Sequence, residues 1–283
     1  MQPGVPAPSI SISATSGSSS PLWSALQTVA ASWRAMSAER LRTSGLAGYL
    51  AIWLLRPIFE LGIAALIYGG SRPALLRYVV VALAANAFVF NTIFYTGEIL
   101  DRQRINGTLP CLFLAPCARY SWLSGFMLAG VAETALIAAV ALLFGHLVLG
   151  VSFAPDWPAL VLSATLFLAA LWGLGMVFSA IGLLIKRSNQ LSNLIFPFAM
   201  LLGGVYYPVA LLPEPLRLAA RTLPLGYGMQ ALASAALFHA GIRDLAPDLA
   251  PLAGFALALP LLGILSFRRL ERLARERGEL DLY

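Results

Sequence analysis

Six long apolar segments, separated by short polar stretches, constrain this chain more than any other feature. Crossing the hydrocarbon core of a bilayer takes about 20 residues of helix. Only 11% of the residues are charged, against about 25% in a typical soluble domain. Because backbone polar groups must be paired internally in lipid, we predict an all-α integral membrane protein with six transmembrane helices. The predicted spans are residues 45–69, 75–97, 123–149, 159–185, 191–207 and 249–267, of which the fifth is short.

The basic residues are distributed unevenly between the two sides of this topology. Thirteen of the nineteen Lys and Arg residues fall on one side, five fall on the other, and Arg56 lies within the first span. Since basic residues accumulate on the cytoplasmic side of a membrane protein, we expect both termini and residues 98–122 to be cytoplasmic. The sequence therefore predicts a multi-pass membrane protein with both termini cytoplasmic. The net charge of +6 follows from orientation, and no nucleic-acid partner is expected.

The segments before, between and after the spans differ from them in composition. Residues 1–20 are rich in Ser and Pro and lack the apolar core of a signal peptide, which predicts a disordered cytoplasmic tail. Residues 21–43 predict an amphipathic helix in the membrane interface. Residues 44–268 form the predicted transmembrane domain, and residues 269–283 form a cytoplasmic C-terminal tail. Four prolines and Gly226 interrupt residues 208–246, so we predict broken helices at the outer surface between spans five and six.

Residues 98–122 interrupt the apolar pattern on the cytoplasmic side. Thr108 can cap a short helix whose first turn contains Pro110, and Pro116 ends it. The result is a helix of about two turns over residues 109–115. Such a helix either docks in a groove of a cytosolic partner or merely connects two spans, and the residues alone favour neither.

Charged residues inside the spans are candidates for a functional site. Arg56 and Glu60 are four residues apart, so they share one face of the first span. They either face a translocation path or dimer seam or form a self-neutralising pair that supports packing. Glu133 is the only charged residue in the third span, where an interior hydrogen bond is expected and a proton relay is the alternative. Tyr206 and Tyr207 either surround an outer mouth or anchor the chain at the interface.

Several chemistries are disfavoured by composition. The only lysine is Lys186, and Ile185 precedes it, so a phosphate-binding loop of the GxxxxGK[ST] type is absent. Cys111 and Cys117 are the only cysteines, and the two histidines are isolated. We therefore expect no metal site, no catalytic residue and no cofactor in this chain.

Two motifs resemble those of ABC-2 type exporter permeases. The segment GEILDRQRINGTLPCLFLAPCAR is similar to the cytoplasmic signature of that family, and FPFAMLLGGVYYPVALLPEPLRLAARTLPLGYGMQAL is similar to its closing signature. The resemblance covers residues 45–267. The residues that match the first signature are Glu98, Arg102, Arg104, Gly107, Thr108, Leu109, Leu112, Pro116 and Arg119. Those that match the second are Pro197, Gly204, Tyr207, Pro208, Leu212, Pro213, Pro224, Leu225 and Tyr227.

The resemblance implies a mechanism. Such permeases work as a pair, here a homodimer, above two separate ABC ATPase subunits that bind ATP and Mg²⁺. The short cytoplasmic helix, including Phe113, would be the coupling helix seated on the ATPase. The first and fifth spans would line the cargo route, and the broken helices would shape its outer gate. The residues assigned to the path or gate are Arg56, Glu60, Tyr206, Tyr207, Pro208 and Tyr227.

The predicted function is ATP-driven export of an amphipathic cargo, either a drug-like or antibiotic-like metabolite or a lipid-linked glycan. The short first outer loop favours a small lipophilic compound. Two alternatives belong to other classes. An integral-membrane lipid-modifying enzyme would need a clustered acidic site, for which Glu98 and Asp101 are the only nearby pair. An ion-driven secondary transporter would work without an ATPase and usually carries an inverted repeat, which the sequence does not show.

Overall fold

The structure is a computed structural model that describes residues 55–70, 72–95, 119–184 and 188–276, with single positions outside these ranges such as Gly107. Within these ranges all regular structure is helical and there is no β-strand, so the predicted all-α class is confirmed. A π-helical segment covers Asn91–Tyr95, and a 3-10 turn covers Val209–Leu211. The helices are α1 (55–68), α2 (Pro73–Phe90), α3 (Arg119–Leu147), α4 (Trp157–Leu184), α5 (Ser188–Gly203), α6 (Glu214–Ala220), α7 (Pro224–Leu237) and α8 (Ala246–Glu276).

Four helices in the described ranges are long and apolar enough to cross a membrane. They occupy Pro73–Phe94, Gly130–Leu147, Trp157–Gly182 and Ala246–Leu270, which correspond to the second, third, fourth and sixth predicted spans. The fifth predicted span contains a shorter apolar helix, Gln190–Gly203. The first begins outside the described ranges, and α1 is its described part. The chain is therefore a membrane protein with several apolar helices, while the count of six spans stays a prediction.

The second span lies at the centre of the bundle. In its most apolar stretch of 18 residues, 61% of the residues are buried inside the protein, against 22% in the last span. Its buried side chains include Val79, Val80 and Ala82, each fully enclosed. It packs against α3 and α7, and its π-helical extension contacts α4 and α5. Because α2 is surrounded by protein, polar side chains on it can reach neighbouring helices instead of lipid.

Close packing of α4 and α8 forms the most extensive helix pair of the described chain. Gly173 of α4 lies directly against the backbone at Leu259 and Pro260 of α8, and Gly263 of α8 lies against Met176 and the carbonyl of Gly173. A side chain at either glycine would collide with the opposite helix. Small residues therefore set the distance between these helices, as is usual in membrane bundles, where close van der Waals packing drives association.

The connections predicted to be extracellular gather at one end of the bundle. The Tyr68 hydroxyl, before the α1–α2 turn, donates to the backbone carbonyl of Tyr206, 3.1 Å away. In the α3–α4 connection, the amides of Ala154 and Asp156 donate to carbonyls of Ala236 and Ala235 near the end of α7. The start of α7 contacts the end of α5, since Leu225 lies beside Gly203. Both ends of α7 therefore meet connections that the sequence predicts on the same side.

Several predicted features lie outside the described residues, and they stay predictions. These are the disordered tail over residues 1–20, the interfacial helix over 21–43 apart from single positions, and the two-turn helix over 109–115. The proline-rich stretch folds as the 3-10 turn, α6 and α7, and its position at the outer membrane surface is likewise a prediction. Helix α8 continues without a break to Glu276, nine residues beyond the predicted end of the last span at 267.

Candidate functional site

Arg56 and Glu60 form an ion pair on α1. Arg56 Nε lies 3.0 Å from Glu60 Oε1, and about a third of each side chain is exposed. The pairing follows from the sequence, because residues four apart lie on one helical face. Pro57 and Leu61, on the adjoining face, are buried, whereas Leu55 and Phe59 are exposed. The pair therefore lies at the edge between the buried and the exposed side of α1.

An aromatic cluster holds the Arg56 guanidinium against α2. The guanidinium carbon lies 3.7 Å from the centre of the Phe90 ring, which is a cation–π contact. Phe90 stacks on Phe94 at 4.4 Å between ring centres. Both rings meet Phe196 of α5 edge to face, at 5.2 and 5.3 Å. The charge of Arg56 is thus fixed by Glu60 on one side and by Phe90 on another.

A hydrogen-bond network joins the π-helical end of α2 to α3, directly after Phe90 in the sequence. Asn91 Nδ2 donates to the carbonyl of Gly130 and to Thr134 Oγ1, both at 2.8 Å. The Thr134 hydroxyl in turn donates to the carbonyl of Gly130. Asn91 and Thr134 are 7% and 2% exposed, so this network is inside the protein. Hydrogen bonds between membrane helices commonly use such side chains.

The network needs a glycine at residue 130. A Cβ there would come within 2.7 Å of Asn91 Nδ2, so we expect Gly130→Ala to displace the amide and to break its bonds to α3. Overpacking of this kind costs about 1–3 kcal/mol. The measurement is the thermal unfolding midpoint of the detergent-purified protein, which should fall in the variant.

The control for this prediction is Gly254→Ala, because a Cβ at Gly254 of α8 meets no atom within 4 Å. Its unfolding midpoint should stay close to that of the unmodified chain. In addition, Gly130→Ala should cost little in a chain that already carries Asn91→Ala, which lacks the displaced amide. Equal losses with and without Asn91 would contradict the proposed clash.

A cavity of about 170 Å³ lies between α1, α2 and α3. Arg56 and Glu60 contribute to its wall from α1, and Glu133 contributes from α3. The sequence singled out these three residues separately, and the structure brings them to one cavity. The other lining residues are Pro57, Leu61, Leu83, Asn86, Ala87, Phe90, Asn91, Thr134, Ile137 and Ala141.

Asn86 is the most deeply buried polar side chain of this wall. It is 1% exposed, and its Oδ1 has no hydrogen-bond partner within the described part of the chain. Sequence reasoning missed Asn86, Asn91 and Thr134. The available signal was the presence of two amides within an otherwise apolar second span, since polar groups in a span usually face the protein interior.

The outer end of α5 is tied to α1 and α2 by tyrosines. Gly204 has φ +71, a left-handed conformation that favours glycine, and its carbonyl accepts a hydrogen bond from the Tyr78 hydroxyl at 2.8 Å. The backbone carbonyl of Tyr206, predicted at the path or gate, accepts the hydrogen bond from the Tyr68 hydroxyl of α1. These two hydrogen bonds tie the outer end of α5 to α1 and α2.

The other predicted gate residues are spread over the same end. The Tyr207 hydroxyl donates to the carbonyl of Leu201 at 3.2 Å. Pro208 precedes the 3-10 turn. Tyr227 packs against the core beside Phe255, with 6.3 Å between ring centres. Their assignment to a path or gate stays a prediction.

The predicted coupling residues lie almost entirely outside the described residues. Gly107 is described as a turn with φ +65, and Arg119 is the first residue of α3. The segment before them is the π-helical end of α2, where the Ser192 hydroxyl of α5 donates to the carbonyl of Ile93 at 2.9 Å. Such π segments occur frequently at functional sites. The coupling residues without a described position are Arg102, Arg104, Thr108, Leu109, Leu112, Phe113 and Pro116.

Comparison with known proteins identifies the class of the chain. The ABC-2 type transporter family matches residues 27–237, more than half of the 283 residues. The match includes both motifs that resemble the family, and it contains α1 to α7. A comparison with curated proteins found no match. The chain therefore belongs to the ABC-2 type transporter family, and it is a membrane permease of an ABC transporter.

Proposed function

We propose that this permease exports an amphipathic cargo outward across a prokaryotic cytoplasmic membrane, with a separate ABC ATPase as its motor. The observation that carries this proposal is the family match over residues 27–237, because permeases of this family normally pair with an ABC ATPase. ATP and Mg²⁺ would bind to that ATPase. The sequence supports this division, since its only lysine, Lys186, is not in a phosphate-binding loop.

The ATPase contacts the permease at the segment of residues 98–122. It joins the π-helical end of α2 to the start of α3, so a push on it acts on both helices. Leu109, Leu112 and Phe113 would form its apolar contact, and Arg102, Arg104 and Arg119 flank that contact in the sequence. Gly107, Thr108 and Pro116 would set the turn, the cap and the end of its short helix.

The cargo route lies along α1 and α5, where two permease protomers would meet. In a single copy these helices expose large apolar side chains, among them Phe59 and Leu66 of α1 and Phe198 of α5. Arg56 and Glu60 lie next to the α1 face, and the backbone of Tyr206 is tied to the outer end of α1 by the hydrogen bond from Tyr68. Tyr207, Pro208 and Tyr227 would contribute to the outer gate. A homodimer in a lipid bilayer would cover these faces.

The cargo we favour is a small lipophilic metabolite of drug or antibiotic type, with a lipid-linked glycan as the second candidate. The connection between α1 and α2 is only a few residues long, so no large outer domain starts there. Both termini would be cytoplasmic, as the distribution of basic residues predicts.

Purification tests this function directly. The tagged full-length chain, extracted in mild detergent from the membranes of its own cells, is expected to retain an ABC ATPase in about equal amount. ATP should then be required for cargo to leave vesicles or cells. Cargo movement that continues at the same rate without any ATPase would contradict the proposal and favour an ion-driven transporter. A modified lipid product would favour the enzyme alternative instead.

A further inference from the structure

The Arg56 guanidinium on α1 has hydrogen-bond donors that the described part of the chain does not use. A guanidinium carries five N–H groups, and in Arg56 the Nε group donates to Glu60 Oε1 at 3.0 Å. The guanidinium carbon lies over the Phe90 ring at 3.7 Å. No residue in the described ranges accepts a hydrogen bond from the two terminal nitrogens, Nη1 and Nη2. Because Glu60 and Phe90 hold the group, these nitrogens form a donor pair of fixed orientation.

The depth of Arg56 in the membrane limits which groups can accept these hydrogen bonds. Arg56 lies 12 residues before Tyr68, which is about 18 Å along a helix at 1.5 Å per residue. Tyr68 precedes the short turn between α1 and α2, and the hydrocarbon core of a bilayer is about 30 Å thick. Arg56 is therefore near the middle of the predicted first span, away from the lipid head groups. An acceptor has to come from the protein or from the transported compound.

The cavity between α1, α2 and α3 adds a hydrogen-bond acceptor to these donors. Arg56 and Asn86 both line it. Asn86 is 1% exposed, and its Oδ1 has no partner among the described residues. A buried polar atom without a partner leaves its desolvation cost unrecovered. The wall of one cavity therefore offers a ligand donors from Arg56 and an acceptor from Asn86.

The size of the cavity and the pairing of Arg56 favour a small uncharged group. The cavity volume is about 170 Å³, whereas sites for whole drug-sized molecules measure about 300–1,000 Å³. An apolar cavity of about 150 Å³ can hold benzene, so this one fits a single ring or branched alkyl group, beside Leu83 and Ile137. Glu60 already compensates the charge of Arg56 at 3.0 Å, and a charged ligand group costs more to desolvate than a neutral one.

We propose that this cavity binds a carboxamide group carried on a small ring or branched alkyl part of the cargo. The terminal nitrogens of Arg56 donate to the carbonyl oxygen of the carboxamide, and Asn86 Oδ1 accepts one of its N–H groups. A carboxamide is uncharged and has both an acceptor and donors, so one group can satisfy both residues. The proposal deepens the proposed function, and it depends on that function only where the bound carboxamide is called cargo.

Binding to the permease alone tests the site. The full-length chain in lipid nanodiscs is titrated with four compounds that share one ring: cyclohexanecarboxamide, cyclohexyl methyl ketone, cyclohexanecarboxylate and cyclohexylammonium. Binding is followed by saturation-transfer NMR against empty nanodiscs. The carboxamide is expected to bind at least fivefold more tightly than each of the others. Equal binding of the ketone, which lacks the N–H groups, would overturn the proposal. Equal or tighter binding of either ion, or no binding above empty nanodiscs, would also overturn it.

Two variants separate the two proposed contacts. Asn86→Leu removes the acceptor at similar size, so it is expected to weaken carboxamide binding at least fivefold and to leave ketone binding nearly unchanged. Arg56→Lys keeps a cation beside Glu60 but replaces the planar donor pair with a single ammonium, so it is expected to weaken binding of both compounds.

The matched control is Arg217→Lys, because Arg217 also pairs with a glutamate on its own helix, α6, and does not line the cavity. It should bind both compounds as the unmodified chain does. Unchanged carboxamide binding in folded Asn86→Leu, or an equal loss of both compounds, would overturn the assignment of Asn86. If that variant fails to fold, Arg56→Lys and the four compounds decide.

Failure of this site and failure of the proposed function give different results. If cyclohexanecarboxamide binds as expected but carboxamide-bearing compounds are not exported with ATP, the exporter function is wrong and the site stands. If folded Asn86→Leu leaves ATP-driven export of carboxamide-bearing compounds unchanged, the site is wrong and the exporter function stands.

Discussion

Replacement of Leu112 and Phe113 with aspartate is expected to abolish both export and co-purification of the ATPase, while the chain still inserts into the membrane. These residues would form the apolar contact of a two-turn helix in a groove on the ATPase. Two buried carboxylates at that contact would be desolvated without partners, which costs several kcal/mol. The measurement is the amount of ATPase retained by the tagged variant, together with export of the cargo.

The control for this prediction is a double aspartate change at Leu280 and Leu282. These leucines are also predicted to be cytoplasmic, so the control introduces the same charges outside the proposed contact. It should retain the ATPase and export at nearly the normal level. Retention of the ATPase by the Leu112 and Phe113 variant, with continued export, would show that the segment does not dock.

Loss of Arg56 is expected to lower both the stability and the export activity of this permease. In Arg56→Met the Glu60 carboxylate loses its partner at 3.0 Å, and Phe90 loses its cation. Removing one member of a fully buried pair costs about 3–5 kcal/mol. Because these side chains are about a third exposed, we expect about 1–3 kcal/mol, seen as a lower midpoint of thermal unfolding in detergent, together with strongly reduced export.

A double-mutant cycle separates the pair from its surroundings. Arg56→Met combined with Glu60→Met should be less destabilised than the sum of the two single variants, because no lone charge remains. The matched control is the pair of Arg217 and Glu214 on α6, which lies at 3.4 Å with Glu214 88% exposed. Its coupling energy should be about 0–1 kcal/mol. Additive effects at Arg56 and Glu60 would contradict a stabilising role for the ion pair.

The membrane character of the chain was predictable because it depends on segment length and charge content. Four of the predicted spans coincide with helices long and apolar enough to cross a membrane. The fifth was predicted to be short, and α5 has 16 residues, or about 24 Å at 1.5 Å per residue. The family was also predictable, because its two motifs are local in sequence.

The composition of the cavity was not predictable from the sequence. The Arg56–Glu60 contact is local and follows from helical spacing, but the approach of Glu133 depends on the register between α1 and α3. Hydropathy cannot give that register, since lipid tails are as apolar as a helix interface. For the same reason the second span has the sequence of an ordinary apolar segment, although it is the central helix of the described chain. Asn86 and Asn91 were the local indication that this span is surrounded by protein and not by lipid.

The native cysteines provide the most direct test of the claim that a separate ATPase drives this permease through residues 98–122. Cys111 and Cys117 are the only cysteines in the chain, and both lie in that segment. A thiol-linked photo-crosslinker attached to them in the assembled complex is expected to join the permease to the ATPase. A chain with Cys111→Ser and Cys117→Ser should give no such product. If the ATPase co-purifies but no crosslinked product forms, residues 98–122 do not contact the ATPase and the account is wrong.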